Sequence, residues 1–362
     1  MSFRRHSSAA PRLGSVEAQA GRVLGPPMAW RAAVSTCNAP AGANDFVSRW
    51  LVLTRACVQP MTLTAAAIAG LLAVRAPGFN LGLFLLAAVG LVIAHAANNL
   101  INDIFDERLG TDTADYPRAL YAPHPVVSGM TTRRAMIRAA LLLNVADLAI
   151  LVLLLLVRGW PVAVFALAGL FISVGYAAPW LRLKKRGLGE PGVLLVWGPL
   201  MVGGTYYAAT GHLSWQILAA SLPYGLLCTT VLLGKHLDKL DWDRPLNIGT
   251  LPVLVGERAA RGLTLALIVV FYAAIVALVV VGALPVPALV ALLALPRLRQ
   301  TWQYLTRPRP NRPPPDFPVW PLWYAAAAFV HTRRAGALLV AGLLVGAVFG
   351  FSHWVWSPLA PS

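Results

Sequence analysis

The stretch Leu81–Gly110, L-G-L-F-L-L-A-A-V-G-L-V-I-A-H-A-A-N-N-L-I-N-D-I-F-D-E-R-L-G, decides the architecture. Its first part carries no charge and is long enough to cross a hydrocarbon core of ~30 Å as a helix. Its end then runs straight into Asn99, Asn102, Asp103, Asp106 and Glu107. Working outward, comparable apolar runs are read at 58–75, 80–101, 136–157, 161–178, 191–209, 216–234, 262–283, 284–299 and 335–352. Pro285, Pro287 and Pro296 interrupt the eighth. A chain that is 58% hydrophobic and 12% charged, with a mean hydropathy of +0.66, is not a water-soluble globule. The runs lack the alternation of barrel strands, so helices must satisfy the backbone in lipid. The expected fold is all-α, a polytopic membrane bundle of about nine transmembrane helices around a central cavity.

Charge sets the expected orientation. Of 30 Lys and Arg residues, all but Arg75 and Arg158 fall in the N-terminal segment or in the loops after the even-numbered runs. By the positive-inside rule those regions are cytoplasmic, in a multi-pass protein of a bacterial-type plasma membrane. The net charge of +16 is therefore mostly topological and implies no nucleic-acid partner. Part of it suits anionic lipid head groups or a diphosphate. Residues 1–45 are expected to be a disordered extension, 46–355 the transmembrane domain, and 307–318 a Pro-rich cytoplasmic linker within it. Cys37, Cys57 and Cys228 suggest neither a disulfide framework nor a zinc site.

Of the fourteen acidic residues, most lie at the expected cytoplasmic ends of the apolar runs. Carboxylates there are costly unless compensated, so they point to function. Asn99, Asn102, Asp103 and Asp106 share one helical face, with Asp112 following in the loop. An oxygen-only set of this kind suits Mg²⁺ shared with phosphate. The plainer alternative is a helix end whose acids pair with Arg108 and Arg118. A second cluster, Asp238, Asp241 and Asp243, ends the sixth run in G-K-H-L-D-K-L-D-W-D-R-P. Asp243 joins the other two only if the helix breaks before Pro245. Acids after the second and sixth runs suggest two related halves facing one cavity.

Several pieces in order resemble the UbiA superfamily of intramembrane prenyltransferases. Asn102, Asp103 and Asp106 look like its N-D-x-x-D motif. Tyr176–Glu190, Y-A-A-P-W-L-R-L-K-K-R-G-L-G-E, and Asp243–Gly256, D-R-P-L-N-I-G-T-L-P-V-L-V-G, resemble its later motifs. Gly204–Gly211, G-T-Y-Y-A-A-T-G, is similar to the menaquinone-pathway branch, which prenylates dihydroxynaphthoate. The resemblance implies Mg²⁺-dependent transfer of a polyprenyl group from an isoprenyl diphosphate to a lipophilic or aromatic, quinone-precursor-like acceptor in the membrane. It implies Asn102, Asp103, Asp106, Asp112, Asp238, Asp241 and Asp243 as metal ligands. Asp103, Asp106, Asp238, Asp243 and Lys184 would be the catalytic set. Arg55, Asn99, Asn102, Arg118, His124, Tyr176, Lys184, Lys185 and Lys239 would contact the diphosphate.

Three departures stand out. Lys239 sits where the family's second motif usually carries its first Asp, so either Asp238 shifts into that role or Lys239 faces the diphosphate. His124 stands where Arg is common, and Arg118 is an alternative. Gln59 replaces another Arg, for which Arg55 is a substitute one turn earlier. Inside the spans, Asp147, with Asn144 three residues before it, either touches the acceptor or bonds between helices. His95, one turn before Asn99, either supports that cluster from behind or is a packed, hydrogen-bonded histidine. A cation-coupled transporter is the competing class, since acids at matching ends of two halves also describe an ion pathway. A third reading keeps the fold with a non-quinone acceptor such as a sugar phosphate, haem or lipid.

Overall fold

The computed structural model describes residues 26–37, 45–108, 116–122, 124–315, 317 and 319–350. In chain order the helices are α1 Pro26–Thr36, α2 Phe46–Leu53, α3 Gln59–Ala73, α4 Leu81–Arg108, α5 Pro117–Tyr121, α6 Arg133–Arg158, α7 Pro161–Ala177 and α8 Gly189–Leu195. There follow a π-helical segment Val196–Gly203, α9 Gly204–Thr210, α10 Trp215–Asp238, α11 Leu240–Asp243, α12 Leu251–Val255, α13 Glu257–Val280, a 3₁₀ segment Val286–Ala294, α14 Leu295–Thr306 and α15 Trp323–Phe349. Among the described residues the sole trace of sheet is a single bridge between Arg186 and Gly249.

Among the described residues, seven stretches are long and apolar enough to span a membrane: Ala56–Ala73, Leu81–Arg108, Arg133–Arg158, Gly189–Thr210, Trp215–Asp238, Glu257–Val280 and Trp323–Phe349, with α7 a shorter apolar helix. The expected eighth run is not a continuous α-helix. Pro285, Pro287 and Pro296 remove three N–H donors and clash with the preceding turn, so the chain goes through the 3₁₀ segment into the polar-faced α14. The last helix begins at Trp323, well before the expected 335, and spans more than its apolar run. The fifth run is continuous in space but broken in geometry. Pro199 cannot donate to its ladder and Gly198 leaves helical φ/ψ, which loosens the turn into the π-helical segment.

Helix α10 is the hub, packed against α8, the π segment, α13 and α15. Phe271, Ile268 and Ile275 from α13, Tyr224 and Leu227 from α10 and Leu339 from α15 fill the space between them. Gly234 lets α15 approach, since a methyl there would lie 2.8 Å from the Ala325 nitrogen. Helix α6 instead turns Leu141, Leu142, Val145, Val152 and Leu156 outward, as a lipid-facing helix does.

The two cations at the end opposite the acids have structural work. Arg158 donates to the Ala208 and Ala209 carbonyls at 2.9 and 2.7 Å, closing the end of α9. Arg75 donates to the Val348 carbonyl at 2.9 Å and to that of Ala347, closing the end of α15. Each meets the partial negative charge of a helix C-terminus.

The expected lack of a disulfide is corrected, and of the expected disordered extension 1–45, residues 1–25 and 38–44 lie outside the described residues. Residues Pro26–Thr36 form α1, and Cys37 is disulfide-bonded to Cys57, 20 residues on. Asp45 caps α2 through the Ser48 nitrogen at 2.9 Å and accepts from Trp30 Nε1 at 2.9 Å. The Ser48 hydroxyl and backbone nitrogen, followed by Trp30, hold its carboxyl down at about 2.

Candidate active site

Asp103 and Asp106 of the first cluster each meet a cation. Arg55 adopts left-handed backbone geometry, φ 53° and ψ 53°, in the break between α2 and the 3₁₀ turn before α3. Its guanidinium pairs with Asp103, which is fully buried. The left-handed turn costs a non-glycine residue on the order of 1 kcal/mol and marks a position held by its surroundings. Arg182 makes a second such turn, φ 50°, after α7. That turn delivers buried Lys184 to Asp106, with Nζ 3.0 Å from one oxygen and 3.2 Å from the other. Asn99 donates to the Thr54 carbonyl at 3.0 Å, joining α4 to the end of α2.

The second cluster does not act as a unit. Asp243 is fully buried; the Tyr116 hydroxyl donates to its Oδ1 at 2.6 Å, while Oδ2 has no partner among the described residues. Asp238 faces elsewhere. Its two oxygens accept from the Tyr324 and Ala325 nitrogens at 2.9 and 2.8 Å, which caps the first turn of α15. Asp241 is 72% exposed and pairs with Arg309 at 3.0 Å, anchoring the start of the Pro-rich linker. Asp238 and Asp241 are therefore corrected as metal ligands: one is spent on a helix terminus and the other on the surface. Asp112 lies outside the described residues, as does the Arg118 side chain.

Lys239, buried, sits 4.4 Å above the Tyr116 ring. Its charge and that of Lys235 both reach Asp106, whose nearest cation is Lys184. Lys235 in turn feels Lys239, Arg55 and Lys184. Asp106 and Asp243 both act on Tyr176, so the ends of α4 and α11 lie near each other among Lys184, Lys235 and Lys239. Lys185 has its ammonium pKa lowered by partial burial and then by Lys184 beside it. His124 is buried and accepts from the Val127 nitrogen at 3.3 Å, which turns its ring towards its own loop.

A cavity of about 260 Å³ opens beneath, lined by Arg55, Asn98, Asn99, Asn102, Tyr176 and Lys235 and walled by Met61, Val231 and Phe329. Asn102 Oδ1 is buried there without a partner among the described residues. His95 is the packed histidine of its two readings, bonded to Thr62 at 2.7 Å and edge-on to Trp197. Tyr176 heads a chain that the residues alone did not reveal. Its hydroxyl lies 3.0 Å from His236 Nε2, and His236 Nδ1 lies 2.7 Å from Glu190. Lys235, His236 and Tyr116 were missed by sequence reasoning. The signal for Lys235 was its place one turn before Lys239 on the same face; Tyr116 had none.

Among the described residues no three His, Cys, Asp or Glu side chains gather as a metal cluster. The fit to a hard divalent cation rests on oxygen chemistry. Asp243 Oδ2 and Asn102 Oδ1 are buried acceptors without donors among the described residues, and Asp103 and Asp106 are carboxylates paired with cationic side chains. That set fits Mg²⁺, with the remaining positions left to substrate oxygens and water.

The fold and these motifs define a helical intramembrane protein with a charged pocket at one end of its bundle. The chain belongs to the UbiA prenyltransferase family, whose model matches residues 63–322. Over 183 residues it is 34% identical to the 1,4-dihydroxy-2-naphthoate octaprenyltransferase of Mycobacterium tuberculosis, covering 49% of this chain and 59% of that one. It is 27% identical over 186 residues to the UbiA prenyltransferase domain-containing protein 1 homolog of Drosophila melanogaster, covering 51% of this chain and 50% of the relative. The chain thus spans about half the length of that relative. The apo structure of a UbiA homolog from Aeropyrum pernix K1 superposes with a TM-score of 0.61 at 20% identity, over 79% of this chain and 97% of the other. A UbiA homolog from Archaeoglobus fulgidus bound to DMAPP and Mg²⁺ gives 0.56 at 15% identity, over 82% and 99%. These likenesses establish the fold.

Proposed function

We propose that the protein transfers a prenyl group from an isoprenyl diphosphate to a hydroxylated aromatic acceptor of the quinone-precursor type, with Mg²⁺. The observation that carries this reading is the pairing of buried Asp103 and Asp106 with Arg55 and Lys184, together with an Asp243 oxygen that has no partner among the described residues. A buried cation resting on a carboxylate is set to exchange that partner for a diphosphate oxygen. Asn102, Asp103, Asp106 and Asp243 would hold Mg²⁺, which when bound neutralises charge on the departing diphosphate. Arg55, Lys184, Lys235 and Lys239 would bind the same group, and fixed cations in a site sheltered from water favour its release. Of the two readings of the second motif, the capping role of Asp238 favours Lys239 as a diphosphate contact. Family membership and the named naphthoate-prenylating relatives support the acceptor class. The charge distribution supports a cytoplasmic site.

A cation transporter fits less well. Its carboxylates are expected near the bilayer midplane, whereas these sit at one end among lysines and arginines. The test is to incubate membranes with labelled isoprenyl diphosphates and a panel of hydroxylated aromatic acids. The reading expects a prenylated product that vanishes in EDTA and returns with Mg²⁺. Product formation that chelator leaves unchanged, or no product with any acid of the panel, would overturn it.

A further inference from the structure

A second cavity, of about 230 Å³, lies between α4, α6, α7 and the π-helical segment. It shares His95, Asn98, Ser173, Val196 and Trp197 with the cavity under the charged rim, so those residues form a neck between the two. Its walls are mostly apolar, among them Leu151, Phe165 and Leu200. Three polar groups interrupt them. Asn98 Oδ1 and Trp197 Nε1 are buried without a partner among the described residues. Asp147, near the middle of the span Arg133–Arg158, lines the chamber, and among the described residues no hydrogen bond or ion pair engages its carboxylate. A methyl at Gly90 would lie 3.1 Å from Asp147 Oδ1, so that glycine makes room for the carboxylate against α4.

Unpartnered buried polar groups are costly, and a lone carboxylate at this depth is costlier still. A neck that retains both a donor and an acceptor unused, above a waiting carboxylate, is built for a ligand. Its chemistry follows from the three groups. The Trp197 N–H needs an oxygen acceptor; Asn98 Oδ1 and Asp147 need hydroxyl donors; the walls need a flat apolar body. Asn98 lies five residues before Asp103, or about 7.5 Å along α4. A ring at the neck is therefore next to a diphosphate held at the rim. Gly90, opposite Asp147, is thirteen residues from Asp103, or about 20 Å away. Asp147 is thus too deep for the transfer itself.

We propose that this membrane-side chamber binds the hydroxylated aromatic acceptor, received at Asp147 and held at the neck by Asn98 and Trp197, on the opposite side of the neck from the diphosphate. The acceptor class rests on the function proposed above. The test measures anaerobic binding of radiolabelled 1,4-dihydroxy-2-naphthoate to the full chain in nanodiscs, without isoprenyl diphosphate. Trp197→Phe, which removes only the N–H and some ring, and Asp147→Asn are each expected to weaken binding about tenfold. In turnover both raise the KM for acceptor while the KM for isoprenyl diphosphate stays unchanged. Binding by both variants at wild-type strength, no saturable binding to the wild type, or equal shifts in both KM values would overturn the proposal. Failure of the enzymatic reading looks different: no product forms, yet the ring still binds in a manner that depends on Trp197 and Asp147.

Discussion

Replacing Asp238 separates a structural carboxylate from a catalytic one. Both its oxygens accept N–H groups at the start of α15, at 2.9 and 2.8 Å, in a fully buried setting. Hydrogen bonds to a charged group contribute about 1.5–3 kcal/mol each, so Asp238→Ala should destabilise the protein by roughly 3–5 kcal/mol after water enters the space. Asn keeps one acceptor and presents an amide to the other N–H, so Asp238→Asn should cost about half as much. Thermal unfolding in detergent should show a fall of about 5 °C for the alanine variant. At a temperature where it is folded, its Mg²⁺ requirement should match the wild type, since neither oxygen faces the pocket. A variant with unchanged unfolding and a Mg²⁺ requirement raised tenfold would refute the capping role and restore Asp238 as a ligand.

Other residues carry distinct expectations. Lys184→Met leaves the Asp106 carboxylate buried without its cation, which costs about 3–5 kcal/mol of local stability, and should abolish turnover; near-normal activity in membranes would contradict its role. Lys239→Asp should reduce diphosphate affinity despite restoring the usual motif spacing, and a gain in activity would instead favour a ligand at that position. His236→Gln and Glu190→Gln should lower turnover by tenfold or more, because Tyr176 loses the chain that fixes its hydroxyl. Equal activity of both variants and wild type would make that chain a packing feature.

Much of the architecture was legible because lipid leaves the backbone few options. Apolar length alone located α3, α4, α6, α7, α10 and α13, and the charge pattern singled out Arg75 and Arg158, which close helix ends. Proline content exposed the weak eighth run, although not its 3₁₀ path into α14. The site was half legible. Helical spacing put Asn99, Asn102, Asp103 and Asp106 at one end of α4, but spacing along one helix carries no information about which other helix ends nearby. Asp238 looked like a ligand because its neighbour on α15 lies 86 residues away. Tyr116 on Asp243 and Glu190 on His236 are likewise contacts between distant segments. The Cys37–Cys57 bond depends on how α1 folds back to the start of α3, which composition does not encode.

The most direct measurement is equilibrium binding of an isoprenyl diphosphate to the full chain in nanodiscs, with Mg²⁺ and with EDTA, for wild type and Asp243→Asn. If the rim grips a diphosphate through a cation shared with Asp243, wild-type binding falls at least tenfold in EDTA and the variant is weak in both conditions. Tight binding that ignores both chelator and the loss of the Asp243 charge would contradict it.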